Sequence, residues 1–109
     1  MIAQKYRVPK EFIPRLLRNG ESYRSNLFII RYAENSKDFN RYRVIISKKI
    51  HPKAVARNKL RRQVYEALRI NSLEKTPGND LILIPKKIII SKSYADIEQD
   101  IIKNITKNG

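Results

Sequence analysis

The chain has 109 residues, too few for two independent cores, and its 24 Lys and Arg against 10 Asp and Glu give a formal charge of +14. With 41% hydrophobic residues it reads as a folded cationic domain spanning 1–109, whose field selects polyanions as partners, nucleic acid before an anionic membrane surface. Cysteine is absent, which excludes disulfides, thiol redox chemistry and cysteine metal sites.

The N-terminal MIAQKYRVPKEF lacks the apolar core of a signal peptide, and the longest apolar stretch, LILIPKKIII at 81–90, is cut by Pro85, Lys86 and Lys87. A cytoplasmic protein with no membrane partner is expected. In EFIPRLLRNG (11–20), Phe12, Ile13, Leu16 and Leu17 have helical spacing, Pro14 belongs in the first turn, and Asn19-Gly20 predicts a left-handed cap. NLFIIRY (26–32) and RYRVIIS (41–47) read as strands, most simply an antiparallel pair joined by AENSKDFN.

Alternation in the second strand turns Tyr42, Val44 and Ile46 to one face and Arg41, Arg43, Ile45 and Ser47 to the other. In the first, Phe28, Ile30 and Tyr32 share a face opposite Leu27, Ile29 and Arg31. The arginine face either binds a ligand or merely keeps an exposed sheet soluble.

A helix is predicted over 54–70. At ~100° per residue, Ala56, Leu60, Val64, Ala67 and Leu68 fall in one buried arc, with Asn58, Arg62, Tyr65 and Arg69 outward, flanked by Lys59 and Arg61. A turn at 76–80, a strand at 81–85 and a helix at 93–105 follow, with Ser93 and Asp96 at capping-box spacing. Helices beside segregated antiparallel strands make an α+β two-layer sandwich with helices on one sheet face.

Clustered carboxylates or a tuned acid–base pair would mark a nuclease. No carboxylate lies between Asp38 and Glu66, the only histidine is His51 beside Pro52, and three glycines leave no phosphate loop. A lone loop histidine reads as a surface residue.

Charge placement stands out instead. From Phe39 to Tyr65 there are nine Lys or Arg and no acid. Lys53, Arg57, Lys59, Arg61 and Arg62 crowd a helix N-terminus that already carries roughly half a positive charge. Arginine forks, lysine charges and free helix N–H groups there form a phosphate cradle. A generic basic surface is the alternative, but it leaves the helix-dipole penalty unexplained. Because the basic helix follows a strand rather than another helix, RNA is a better partner than duplex DNA.

SKKIHPKAVARNKLRRQVYEALR (47–69) closely resembles the signature of the protein subunit of bacterial ribonuclease P, and NLFIIRY, NDLILIPKK and SYADIEQDIIKNI extend the likeness along nearly the whole chain. The resemblance implies a mostly antiparallel four-stranded sheet with a left-handed β-α-β crossover. It also implies an RNA-binding subunit, not itself catalytic, of an endonuclease whose catalytic RNA uses Mg2+ to remove the 5′ leader from precursor tRNA. The expected partners are that RNA and the leader, with no small-molecule substrate and no cofactor on the protein.

By position, Lys48, Lys49, Arg57, Asn58, Arg61 and Arg62 fall on the RNA-contacting signature. Lys59 stands for a usual Arg, Tyr65 replaces a basic residue and is expected to stack on a base, and Lys53 and Arg69 extend the basic surface. A leader cleft is expected from Phe12, Leu17, Arg31, Arg43 and Ile45. A structural RNA-binding protein of ribosomal type is the alternative that composition alone permits.

Overall fold

The computed structural model describes residues 2–71 and 78–106. Helix α1 (Ile13–Asn19) follows a 3₁₀ turn, β1 is Glu21–Arg24, β2 Phe28–Glu34 and β3 Arg41–Val44. Then come α2 (Ala54–Asn71), β4 (Asn79–Pro85) and α3 (Tyr94–Ile101), which continues as a π-helical turn, Ile102–Thr106. The sheet order is β1-β2-β4-β3. β1 and β4 pair antiparallel with β2, while β3 runs parallel to β4.

β2 and β3 are therefore not the adjacent pair their sequence proximity suggests. β4 inserts between them, and the parallel β3–β4 pairing requires a long crossover, which α2 supplies. The composition of β4 suits that central place: Leu81 and Leu83 enter the main core while Ile82 packs on the opposite face, so both faces are buried. The expected turn at 76–80 lies partly outside the described residues, and Asn79 and Asp80 already belong to β4. β1, which the sequence reading did not anticipate, is exposed at all four positions.

The main core joins Phe28, Ile30, Tyr42, Val44, Leu81 and Leu83 of the sheet to Leu60, Val64, Ala67 and Leu68 of α2 and Ile97 and Ile101 of α3. Strand alternation and the α2 stripe thus fall where the sequence puts them, except that Ala56, near the helix start, is only half-buried. Leu27 does not: it precedes β2, and it is buried in the main core, where its amide donates to the Asp100 carboxylate, 3.2 Å. That carboxylate also accepts from the Ser25 hydroxyl, 2.6 Å, fastening the β1–β2 connection to α3.

Helices α2 and α3 share one face of the sheet. Helix α1 lies against the other, where Leu16 packs with Val8 and Ile82 and half-buried Ile13, Ile45 and Ile84. Gly20 ends α1 in extended conformation (φ −70°, ψ 157°), not in the expected left-handed cap. Its role is close approach: a Cβ would stand 2.6 Å from the Leu16 carbonyl oxygen. Ser93 caps α3 in a reciprocal box with Asp96, as its spacing predicts.

The β3 edge of the sheet is covered locally. On β3 the Val8 amide donates to the Tyr42 carbonyl, 3.0 Å, and Arg7 makes a parallel bridge to Tyr42, so the N-terminal segment runs along this edge.

Candidate nucleic-acid interface

The basic run divides into two places. Lys48 and Lys49 occupy an exposed turn after β3, fastened by the Ile50 amide to the Ser47 carbonyl, 3.1 Å, with half-buried Ile50 packed against the main core. Pro52, Lys53, Ala54 and Val55 are exposed, so the mouth of α2 opens to solvent, and its first turn holds no acid.

Loop geometry at this mouth is set by two residues. The His51 Nδ1 accepts from the Lys53 amide, 3.1 Å, and the Arg57 guanidinium donates to the carbonyls of His51 and Pro52, each 2.8 Å. Arg57 thus reaches back over the loop and is half-buried. Arg61 donates to the Asn58 amide oxygen, 2.7 Å. Lys53, Asn58, Lys59 and Arg62 are exposed. Farther along α2, exposed Arg69 pairs with Glu66, whose carboxyl this hydrogen bond holds below its ordinary range; Glu66 in turn raises Arg69.

Tyr65 is not on this surface. It is 2% exposed, and its hydroxyl accepts from the Val44 amide, 3.1 Å. The buried arc of α2 is wider than the five-residue stripe, and the phenol satisfies a β3 edge donor that β4 cannot reach. A stacking role for Tyr65 is thereby corrected.

Arg41 and Arg43 lie elsewhere, on the α1 face of the sheet. Arg41 forms a two-pronged pair with Asp80, 2.7 Å in both arms, and its guanidinium carbon stands 5.4 Å from the Phe12 ring centroid. The acid missing from the local sequence is thus supplied by β4. Asp80 also accepts from Asn35 Nδ2, 3.0 Å.

One row down the sheet, Arg31 and Arg43 are both in register with Ile82. Two strand spacings of ~4.8 Å place their Cα atoms about 10 Å apart. Arg31 donates to the Leu17 carbonyl, 2.8 Å, and Arg43 to the Val8 carbonyl, 2.6 Å; the Nε of each is buried and unpartnered. Phe12 and Leu17 are 38% and 41% exposed above this row, and Ile45 is half-buried in the apolar cluster beneath. The five residues of the expected cleft therefore share one sheet face.

Beside them lies a hollow of about 390 Å³, lined by Phe12, Arg15, Asn19, Asn35, Arg41 and Asp80. Sequence reasoning left Arg41 out of the site, because nothing local shows that it underlies Phe12. Among the described residues no group of three or more His, Cys, Asp or Glu could hold a metal ion, and no helix is long and apolar enough to cross a membrane.

A family model described as Ribonuclease P matches residues 4–108. The ribonuclease P protein component of Clostridium botulinum (strain 657 / Type Ba4) is 36% identical over 110 residues, covering 100% of this chain and 97% of that protein. That of Clostridioides difficile (strain 630) is 33% identical over 94 residues, covering 85% and 81%. In structure, the RNase P protein from Thermotoga maritima superposes with a TM-score of 0.83 over 94% of this chain and 97% of that one, at 22% identity, a likeness of fold. Because the family model spans nearly the whole chain and the clostridial likeness runs its full length, the chain belongs to the family of bacterial ribonuclease P protein components.

Proposed function

We propose that the chain is the non-catalytic subunit of a ribonuclease P holoenzyme in the cytoplasm, and that it works in tRNA processing by binding two RNAs at two sites. The partner RNA carries the active site and uses Mg2+ to hydrolyse the phosphodiester at the 5′ end of the mature tRNA sequence. The protein supplies positioning and charge.

The observation that carries this reading is the open, acid-free mouth of α2, ringed by exposed Lys48, Lys49, Lys53, Lys59 and Arg62. A helix N-terminus so loaded with cations is relieved by an external polyanion. Phosphates of the catalytic RNA are seated there, with Arg57, Asn58 and Arg61 fixing the shape of the loop and first turns and Arg69 marking the far end. The α1 face takes the single-stranded leader: Arg31 and Arg43 meet phosphates, while Phe12 and Leu17 give apolar surface to bases. Aromatic stacking contributes ~1–3 kcal/mol per base, so with Phe12 as the only aromatic of this set, phosphate contacts dominate.

Reconstitution with the catalytic RNA from the same source tests the reading. At limiting Mg2+ the protein should accelerate cleavage of precursor tRNA, and the purified chain without RNA should cleave nothing. Failure to stimulate the RNA would return the chain to a structural RNA-binding role.

A further inference from the structure

A hollow of about 690 Å³ among the described residues adjoins the arginine row of the α1 face. It is a trough between the N-terminal segment and the β2–β3 connection, and among its lining residues are Lys5, Lys10, Lys37, Phe39 and Arg43, with Glu11 as the sole acid.

Both walls are held in place. The N-terminal segment is fastened to the β3 edge through Val8 and Tyr42. In the β2–β3 connection the Asn35 side-chain oxygen accepts from the Lys37 amide, 2.9 Å, while its Nδ2 donates to the Phe39 carbonyl, 3.1 Å. Ser36 takes a left-handed conformation (φ 62°), and the Asn35 amide reaches the Gly78 carbonyl, 3.1 Å. Gly78 is required at that approach, since a Cβ would collide with the Lys37 carbonyl oxygen.

Phe39 is also fixed from the side, edge-on to Tyr6 with ring centroids 5.4 Å apart. Two ammonium groups converge on its ring, Lys5 at 5.2 Å and Lys37 at 5.9 Å from the centroid, and Lys5 also sits 4.9 Å from the Tyr6 ring. Cation–π attraction holds each lysine, yet the two like charges repel one another across the trough. An aromatic wall flanked by lysine ammonium groups tracks a nucleic-acid backbone without reading sequence. The Arg7 and Arg41 forks that also line the trough are already engaged, with the Ile2 carbonyl and Asp80.

We infer that this trough binds single-stranded RNA, namely the part of the precursor tRNA leader farther from the scissile bond than the part held on the α1 face. This rests on the leader reading proposed above. Continuity supports it: Arg43 lines the trough and belongs to the arginine row of the cleft, and its guanidinium donates to Val8 at the wall the two share. A strand leaving the cleft past Arg43 enters a trough that is already positive.

The test uses reconstituted holoenzyme and precursor tRNAs whose leaders are lengthened one nucleotide at a time. For wild type, affinity should rise in two stages, cleft first and trough second. With Lys5→Ala/Lys37→Ala, both side chains being exposed, the gap from wild type should widen as the leader grows and the second stage should vanish. For long leaders the slope of log affinity against log salt should fall by about 1.4, two phosphates at ~0.7 each for a single strand. Arg31→Ala should instead reduce affinity from the shortest leaders onward.

If wild type shows both stages and the double variant follows it at every length, the trough assignment is overturned while the leader cleft stands. A loss that is equal at all lengths, or that appears with the catalytic RNA alone, assigns the trough to that RNA and also overturns the proposal. Wild-type affinity indifferent to the presence of a leader overturns both.

Discussion

The Tyr65 hydroxyl accepts a hydrogen bond from the Val44 amide, 3.1 Å, tying the middle of α2 to the edge strand β3. Both residues are buried, so no water can replace the phenol as acceptor. The contact adds to the packing of Leu60, Val64, Ala67 and Leu68, which holds α2 on the sheet.

Tyr65→Phe should therefore lower stability by about 1–3 kcal/mol, the penalty for leaving a buried donor unsatisfied. In a domain of this size each kcal/mol lowers the melting temperature by roughly 4–8 °C. Affinity for the catalytic RNA, measured well below the transition, should stay at the wild-type value. A loss of RNA affinity with an unchanged melt would restore Tyr65 to the interface.

Asp80 offers the contrary case, a carboxylate whose removal leaves a buried cation behind. Side chains of Arg41 and Asp80 are 11% and 9% exposed. Breaking such a pair from one side costs about 3–5 kcal/mol, whereas replacing both partners with apolar groups is often nearly neutral. Asp80→Ala should thus be more destabilising than the double variant Arg41→Met/Asp80→Leu in urea unfolding. The opposite order would mean that Arg41 finds solvent once Asp80 is gone.

The α3 capping box gives a pH signature. Hydrogen bonding from the Ser93 backbone amide, then the Ser93 side chain, and nearby Lys92 hold the Asp96 carboxyl below its ordinary value of 3.8. A carboxyl lowered in the folded state binds its proton more readily in the unfolded chain, so it stabilises the fold above pH 3.8, and that stabilisation is lost as pH falls through the lowered folded value. Thermal melts of Asp96→Ala and wild type should differ most near neutrality and converge in acid. A constant gap across that range would detach the cap from the charge.

Much of this architecture is written in local patterns, and what is not local stayed hidden. Period alone placed Leu60, Val64, Ala67 and Leu68 inward and found the Ser93–Asp96 box, because each depends on neighbours within one element. Strand order was missed because adjacency in sequence favours a β2–β3 hairpin, whereas the apolar run Leu81–Ile84 suits a central strand buried on both faces. β1 carries no inward apolar alternation that could have announced it.

In the interface, a linear count of charge merged two separate places. Arg41 is neutralised by Asp80, 39 residues away in sequence, and Arg43 points to the sheet face opposite α2. That Arg31, Arg43 and Ile45 share one sheet face was legible from strand parity, while the Lys5–Phe39–Lys37 convergence needs the N-terminal segment folded onto β3.

Arg57 and Arg62 stand five residues, about 1.4 turns, apart on α2 and should fail in different ways. Arg62 is exposed, and under the proposed function it meets RNA as a charge; Arg62→Ala should then flatten the dependence of log affinity on log salt by ~0.7–0.9, and Arg61→Ala/Arg62→Ala by up to twice that. Arg57 donates to the His51 and Pro52 carbonyls and shapes the loop that presents Lys53. Two lost hydrogen bonds at ~0.5–1.5 kcal/mol each loosen that loop before RNA arrives. Arg57→Ala should therefore weaken binding to the catalytic RNA by a factor that persists at high salt, where screening has removed most of the Arg62 effect. Titrations at several salt concentrations separate the two; parallel losses that vanish together at high salt would make Arg57 an ordinary phosphate contact.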